Sequence, residues 1–354
     1  MVIRDFSVTN FRNYKQLHIE FSDKVNVFFG NNGQGKSNLV EGIYFLNHLN
    51  SFRTHRIKKL IEFGEPISQI KATIDKDGTS FAARIEISGR GRKVWLNDTP
   101  IRKLSEYITS FYAIVFNPDS LHYYRHFTSE RRGFFNRFLS FFDGIYLHEI
   151  REFRAVHAQK NRLLKSGEKS SILDWNILFV DRSCGIVTKR REMVERINLI
   201  LPELYARISG REAKLLLEYR PSFPEDSDTW LKLLEKSVEQ EFKAGHAQHG
   251  PHRDDFCLLL EDGKRDEFFS QGEYRISLLA LKLAINVLMA ERMQFHPVLI
   301  LDDLFSELDA TVRANLRQYL FQVPNQIFIT STEPGDAHDF PDPRIMEIRA
   351  GQIT

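Results

Sequence analysis

Apolar and polar residues alternate near the start of the chain: Ile3, Phe6, Val8 and Phe11, then Leu17, Ile19 and Phe21. Such alternation predicts two half-buried antiparallel strands, joined around Arg12, Asn13 and Tyr14. The run VNVFF at 25–29 is more continuously apolar, as a buried central strand should be. Helical spacing follows the glycines at 37–49. Alternation returns at 67–74 and 81–87, and GRGRKVWLNDTP adds a hairpin with glycine and Asn-Asp turn signals. Another short apolar strand is expected at 110–116, ended by Asn117, Pro118 and Asp119.

From about residue 126 the period changes to that of helices, expected at 130–139, 146–165 and, after the linker SGEKSS, 172–205. Beyond Pro221 and Pro224 the pattern is mixed. HGPHRDDFCLLL reads as a turn into a strand, 274–293 as a long helix and VLIL at 298–301 as a buried strand. A helix near 311–320 and strands at 326–330 and 345–348 complete the chain. The predicted fold is α/β, a head split in sequence by an inserted α-helical lobe. Residues 1–125 and 236–354 form the two parts of the head and 126–235 the lobe.

Composition narrows the class. Of 354 residues, 42% are apolar and 27% charged, the balance of a globular chain. The net charge of +2 favours no partner, so local clusters must carry any electrostatic argument. Two cysteines without paired spacing argue against a disulfide scaffold or zinc site and for a reducing, cytoplasmic setting. The N-terminus lacks the apolar core of a signal peptide. No run reaches the roughly 18 residues of a membrane span.

Three motifs carry chemistry. Gly30-Asn31-Asn32-Gly33-Gln34-Gly35-Lys36-Ser37-Asn38 fits the phosphate-loop template, directly after a strand and before a helix. Its glycines let backbone N–H groups turn onto phosphate oxygens, and the helix N-terminus adds its positive dipole end. Lys36 would reach the β- and γ-phosphates and Ser37 would bind Mg2+. At the end of the strand VLIL, Asp302 would complete the Mg2+ shell and Asp303 would polarise a water. The third motif is Ser270-Gln271-Gly272-Glu273 before a long apolar helix. It reads either as a capping box or as a second anion-binding helix end.

The order of phosphate loop, serine-glycine turn, aspartate strand and Ser306-Glu307-Leu308-Asp309 resembles the ABC-type ATPase heads, and in detail the RecF family. The carrying stretches are TNFRNY, FFGNNGQGKSNLVEGI, SFRTHRIKKLIEFG, SERRGFFNRFLS, HGPHRDDF, SQGEYR and LILDDLFSELD. The helical insert is short and without sustained heptads, so no long coiled coil is expected. The resemblance implies ATP held between two copies, with Ser270, Gln271, Gly272 and Asp309 facing the partner's phosphate loop and Arg12 and Asn13 lining the pocket. It further implies ATP-driven homodimerisation, slow DNA-stimulated hydrolysis and binding to single-stranded DNA and strand junctions. RecO- and RecR-type mediators are the implied partners, in gap repair, replication-fork maintenance and the SOS response.

The sequence departs from the wider class in three places. Thr330-Ser331-Thr332 stands where many heads have a histidine. Glu273-Tyr274 stands where glutamine-rich residues are expected, adding negative charge beside the phosphate. Asp303 is shorter than the usual glutamate; both acidic departures point to slow turnover. Basic clusters lie at Arg53, His55, Arg56, Lys58 and Lys59, at Arg90, Arg92 and Lys93, at Arg131 and Arg132, and at Lys189, Arg190 and Arg191. Phosphate contacts need such clusters, though solvated faces look the same, and no aromatic stacking platform is evident. The HGPHRDDF turn reads as structural or catalytic. Two rival classes remain: an ATPase-linked nuclease, which would need an acidic domain after the aspartate strand, and a structural DNA clamp that binds ATP without hydrolysing it.

Overall fold

In the computed structural model the alternating N-terminal residues form β1 (Val2–Phe11) and β2 (Tyr14–Glu20), whose inward residues Ile3, Phe6, Val8, Phe11 and Leu17 are buried. The structure describes residues 1–353 apart from 77, 103–106, 108–110, 119–123, 225 and 338–339, and the side chains of 336 and 337. Ser110 and Asp119, expected at the two ends of one strand, lie outside the described residues.

The first of two compact units comprises Met1–His122, Arg207–Arg211 and Leu278–Thr354. It holds two six-stranded sheets. One is antiparallel in the order β2-β1-β4-β5-β6-β7, adding β4 (Ile67–Lys76), β5 (Thr79–Ser88), β6 (Gly91–Leu96) and β7 (Thr99–Pro100). The other has the order β14-β13-β3-β12-β11-β8. Its β3 (Val25–Phe29), β8 (Ala113–Phe116), β11 (Val298–Asp302), β12 (Ile327–Ser331) and β13 (Arg344–Arg349) run parallel, and β14 (Gln352–Ile353) turns back antiparallel. The central strands β11 and β12 are buried at every position, as a sheet covered on both faces requires. Helix α1 (Lys36–His48) packs into the same core as Phe6, Phe28, Ile300 and Phe328.

The second unit comprises Tyr123–Ala206 and Glu212–Ser277. Its helices are α2 (Thr128–Phe142), α3 (Gly144–Ser166), α4 (Ile172–Ser209, which runs on into the first unit) and α5 (Ser227–Ala244). The pair β9 (Leu215–Arg220) and β10 (Asp255–Leu260) is antiparallel in register from Asp255↔Arg220 to Leu260↔Leu215. That pairing carries the unit to Ser277, past residue 235 where the sequence pattern returns to the head. β9 and α5 were missed by the sequence reading, α5 despite an Asp226 cap on Thr229 N and the apolar stripe of Trp230 and Leu234. Helix α6 (Gln271–Met293) begins here and α7 (Ala310–Gln322) belongs to the first unit. Among the described residues no helix is long and apolar enough to cross a membrane.

Candidate functional site: a phosphate loop joined to an aspartate strand

β12 lies between β3 and β11, so the loop leaving β3 and the aspartates ending β11 meet over the carboxyl ends of parallel strands. Ligands of open α/β sheets bind there. Gly30 has φ 145° and Gly35 φ 117°, backbone that L side chains rarely adopt. A Cβ on Gly30 would stand 2.5 Å from the Ile348 carbonyl oxygen, and one on Gly35 2.7 Å from Asn13 Nδ2. Only glycine lets this loop lie so close to its neighbours.

Lys36, 4% exposed, donates from Nζ to the carbonyl oxygens of Gly30 (2.6 Å) and Asn31 (3.0 Å). Burial lowers its pKa while Asp303 and Asp302 oppose the shift. Ser37 Oγ donates to Asp302 Oδ1 at 2.8 Å. Thr330 Oγ1 donates to that same oxygen at 2.8 Å and accepts the Asp303 N–H at 2.9 Å. Burial pushes the Asp302 carboxyl up to about 6, even though two hydroxyls bond its charged form. Asp303 sits at φ 50° and is raised as well, with Lys36 pulling the other way.

The residues fit a magnesium nucleotide. A hydroxyl and a carboxylate are hard oxygen ligands, and Mg2+ ordinarily takes one or two carboxylates with the rest from phosphates and water. Lys36 and the two glycines supply the phosphate cradle.

The remaining predicted residues separate into three groups. Asn13 Nδ2 donates to the Gln34 carbonyl (3.2 Å) and Asn38 Nδ2 to Asn13 Oδ1 (2.8 Å), so Asn13 holds the loop by its backbone. Gln34 accepts further from Gly351 N and Ala350 N. Arg12, expected to line the pocket, clasps Glu41 through Nε (2.8 Å) and one terminal nitrogen (2.7 Å) and donates to the Lys59 carbonyl (2.9 Å). Asp309 caps α7 by accepting from Val312 N. In the second unit, Ser270, Gln271 and Gly272 are exposed at the start of α6. There Ser270 N donates to Glu273 Oε2 (2.9 Å) and Glu273 N to Ser270 Oγ (3.2 Å), a reciprocal capping box. Glu273 also accepts from Lys264 Nζ at 2.9 Å, and these bonds hold its carboxyl down at about 2. The extra acidic charge is thus met by a lysine and the helix end.

The HGPHRDDF turn is anchored by its two aspartates, though Arg253 is exposed. Asp254, 1% exposed, accepts from Arg190 (2.6 Å), the Tyr219 hydroxyl and Ser222 N (2.9 Å), while Arg131 grips Asp255 through two nitrogens. Two of the basic residues read as candidate DNA contacts, Arg131 and Arg190, are spent here. Sequence reasoning noted Thr330 only as standing where many heads have a histidine, missed its bond to Asp302, and missed Glu41. The register Asp302↔Thr330 across two apolar strands was the available signal for the first.

A buried parallel sheet with a phosphate loop after one strand and an aspartate after the next but one defines a nucleotide-binding head of the ABC type. Residues 2–346 match the family described as RecF/RecN/SMC N terminal domain. The DNA replication and repair protein RecF of Lactobacillus johnsonii is 33% identical over 371 aligned positions, covering 100% of this chain and 99% of the relative. That of Halalkalibacterium halodurans is 32% identical over 368, with the same coverage. The solved structure of the recombination mediator protein RecF-ATP in the RecFOR pathway superposes with a TM-score of 0.88 at 26% identity, over 99% of this chain and 98% of that one. An Smc head bound to the C-terminal winged-helix domain of ScpA shares the fold, with a TM-score of 0.60 at 18% identity over 100% of this chain and 96% of that one. The chain belongs to the RecF family.

Proposed function

We propose that the chain is an ATP-dependent DNA-binding switch of DNA replication and repair, acting in the cytoplasm on single-stranded DNA and strand junctions. The observation carrying this reading is the Ser37–Asp302 hydrogen bond, which joins the phosphate loop to the aspartate strand in one catalytic set. Bound Mg2+ would offset phosphate charge between those two side chains. Lys36 exchanges its carbonyl partners for phosphate oxygens, and Asp303, its carboxyl raised by burial, orients and deprotonates a water. A short carboxylate in that role agrees with slow turnover. The full set of Lys36, Ser37, Asp302 and Asp303 favours hydrolysis over a passive clamp.

The exposed Ser270-Gln271-Gly272 turn is the second half of the site, offered to the nucleotide of another copy. Two chains close when both are charged with ATP and separate after hydrolysis, because only the closed state makes these contacts. RecO- and RecR-type mediators would read the closed dimer during gap repair, fork maintenance and SOS induction.

The test measures self-association and DNA binding with and without ATP for wild type, Lys36→Met and Ser270→Arg. Lys36→Met should lose nucleotide binding or turnover. Ser270→Arg should keep nucleotide binding and lose dimerisation. ATP-independent dimers in all three would sink the switch.

A further inference from the structure

The loop leading from α1 to β4 presents one side chain unlike its neighbours. Leu60 is in the core of the first unit, and Phe52, Ile57 and Ile61 pack against that core. Phe63 is fully exposed, at 103%. It sits on a tight turn rather than a loose loop. Glu65 N donates to the Glu62 carbonyl (3.1 Å), and Glu62 N to the Asn10 carbonyl (2.9 Å). Asn10 Nδ2 donates to Glu65 Oε2 (3.1 Å). Gly64 at φ 91° occupies the third position, as a type II turn requires. An aromatic ring is therefore held out in water by a pre-ordered backbone.

A few residues before Phe63 in the same loop, Lys58 meets a second basic segment some thirty residues further on in sequence. Lys58 rests on Gly89 at the tip of the β5–β6 hairpin, its Cε 3.3 Å from where a Cβ would stand. Arg56, Lys58 and Lys59 thereby join Arg90, all four exposed, while Arg92 and Lys93, consecutive on β6, point to opposite faces of the sheet. The acidic residues of these segments are Glu62, Glu65, which is held by Asn10, and Glu86, which stands opposite Lys93 on the hairpin.

We propose that this face binds DNA at a boundary between duplex and single strand: the cations neutralise the backbone while Phe63 stacks on the first unpaired base. The proposal rests on the DNA-binding reading above and specifies its site. Charge selects a polyanion, and the exposed ring selects one with accessible base faces, which paired DNA lacks except at its ends. A ring on a pre-ordered turn loses little conformational freedom on stacking.

The experiment measures binding of the full chain to a duplex, to the same duplex with a single-stranded extension, and to the single strand, across a salt series. Phe63→Ala should weaken binding of the extended duplex roughly tenfold, the size of one base–aromatic stack, and leave ATP binding and the binding of a duplex closed by hairpins at both ends unchanged. Phe63→Trp should restore the preference, and its fluorescence should be quenched by the extended duplex. Lys58→Ala combined with Arg90→Ala should weaken all three DNAs and lower the salt slope by about two. Wild type that binds no DNA would overturn the DNA-binding reading itself. Wild type that binds DNA, with Phe63→Ala indistinguishable from it on every substrate, would overturn only the stacking site. Quenching of the Phe63→Trp signal by polyglutamate as strong as that by DNA would assign the face to an acidic protein instead.

Discussion

The Arg12 guanidinium holds the Glu41 carboxylate by two hydrogen bonds, at 2.8 and 2.7 Å, and Glu41 has no exposed surface at all. Glu41 belongs to the helix that starts at Lys36, while Arg12 also ties to the Lys59 carbonyl, so the pair links the phosphate-loop helix to the basic loop. Arg12→Met would leave a buried carboxylate whose remaining partners among the described residues are Ser51 and the more distant Arg53. The expected loss is about 2–4 kcal/mol in urea unfolding, and the double change Arg12→Met with Glu41→Leu should recover most of it.

Asp302 gives a pH signature. Its folded pKa of about 6 lies above the roughly 3.9 of an unfolded aspartate, so ionisation opposes folding. The sign follows: its contribution is best below about pH 4, declines as pH rises to about 6 and is constant above. Asp302→Asn should be more stable than wild type at pH 8 by about 1–3 kcal/mol, with the gap closing toward pH 4. The same variant should lose Mg2+-dependent ATP hydrolysis.

Acid should destabilise the second unit through its histidines. Burial lowers His252 to about 3, and His157, whose ring lies 4.1 Å from it, is lowered too. The unfolded chain takes up these protons near pH 6.5, so stability falls as pH drops from about 6.5 toward 3. Between pH 7 and pH 5, His252→Gln should lose about 1–2 kcal/mol less than wild type in chemical denaturation.

The capping box at α6 also loses stability toward acid, but at lower pH. Glu273 is held at about 2, so its contribution is full above the unfolded glutamate range and lost as pH falls through about 2. Hydrogen exchange in the first turn of α6, corrected for intrinsic rates, should not vary between pH 5 and 8. Glu273→Ala should raise local opening by about 1 kcal/mol throughout that range.

Arg190 uses its planar fork in four directions: Asp254 at 2.6 Å, the Pro251 carbonyl at 2.9 Å, Asn136 at 2.9 Å and the Tyr146 hydroxyl at 3.3 Å. Lysine cannot reproduce that geometry. Arg190→Lys should lower stability by about 2–4 kcal/mol, read as a thermal shift, without changing the salt dependence of DNA binding.

Much of the site was legible because its residues are adjacent in sequence. A phosphate loop is local: the glycines, Lys36 and Ser37 need only a strand before and a helix after. Asp302 was legible because four apolar residues bury its strand. The capping box was legible as one of two readings, since Ser270 and Glu273 stand three apart and the helix end satisfies both. The β9–β10 pairing was not, because it joins residues about forty apart through contacts that no local period announces. The basic clusters misled in part: Arg131 and Arg190 look like surface charge in sequence and are spent on Asp255 and Asp254.

The sequence alone therefore determined the class of chemistry: short-range backbone conformation sets a phosphate loop, and periodic burial sets the strands that flank it. Tertiary structure decided which polar groups are free and which are consumed. It turned Arg12 onto Glu41, tied Asp254 of HGPHRDDF to Arg190 and brought Lys58 against the β5–β6 hairpin. A charged side chain's role depends on its desolvation and its partner, and both are properties of chain segments that meet only in the fold.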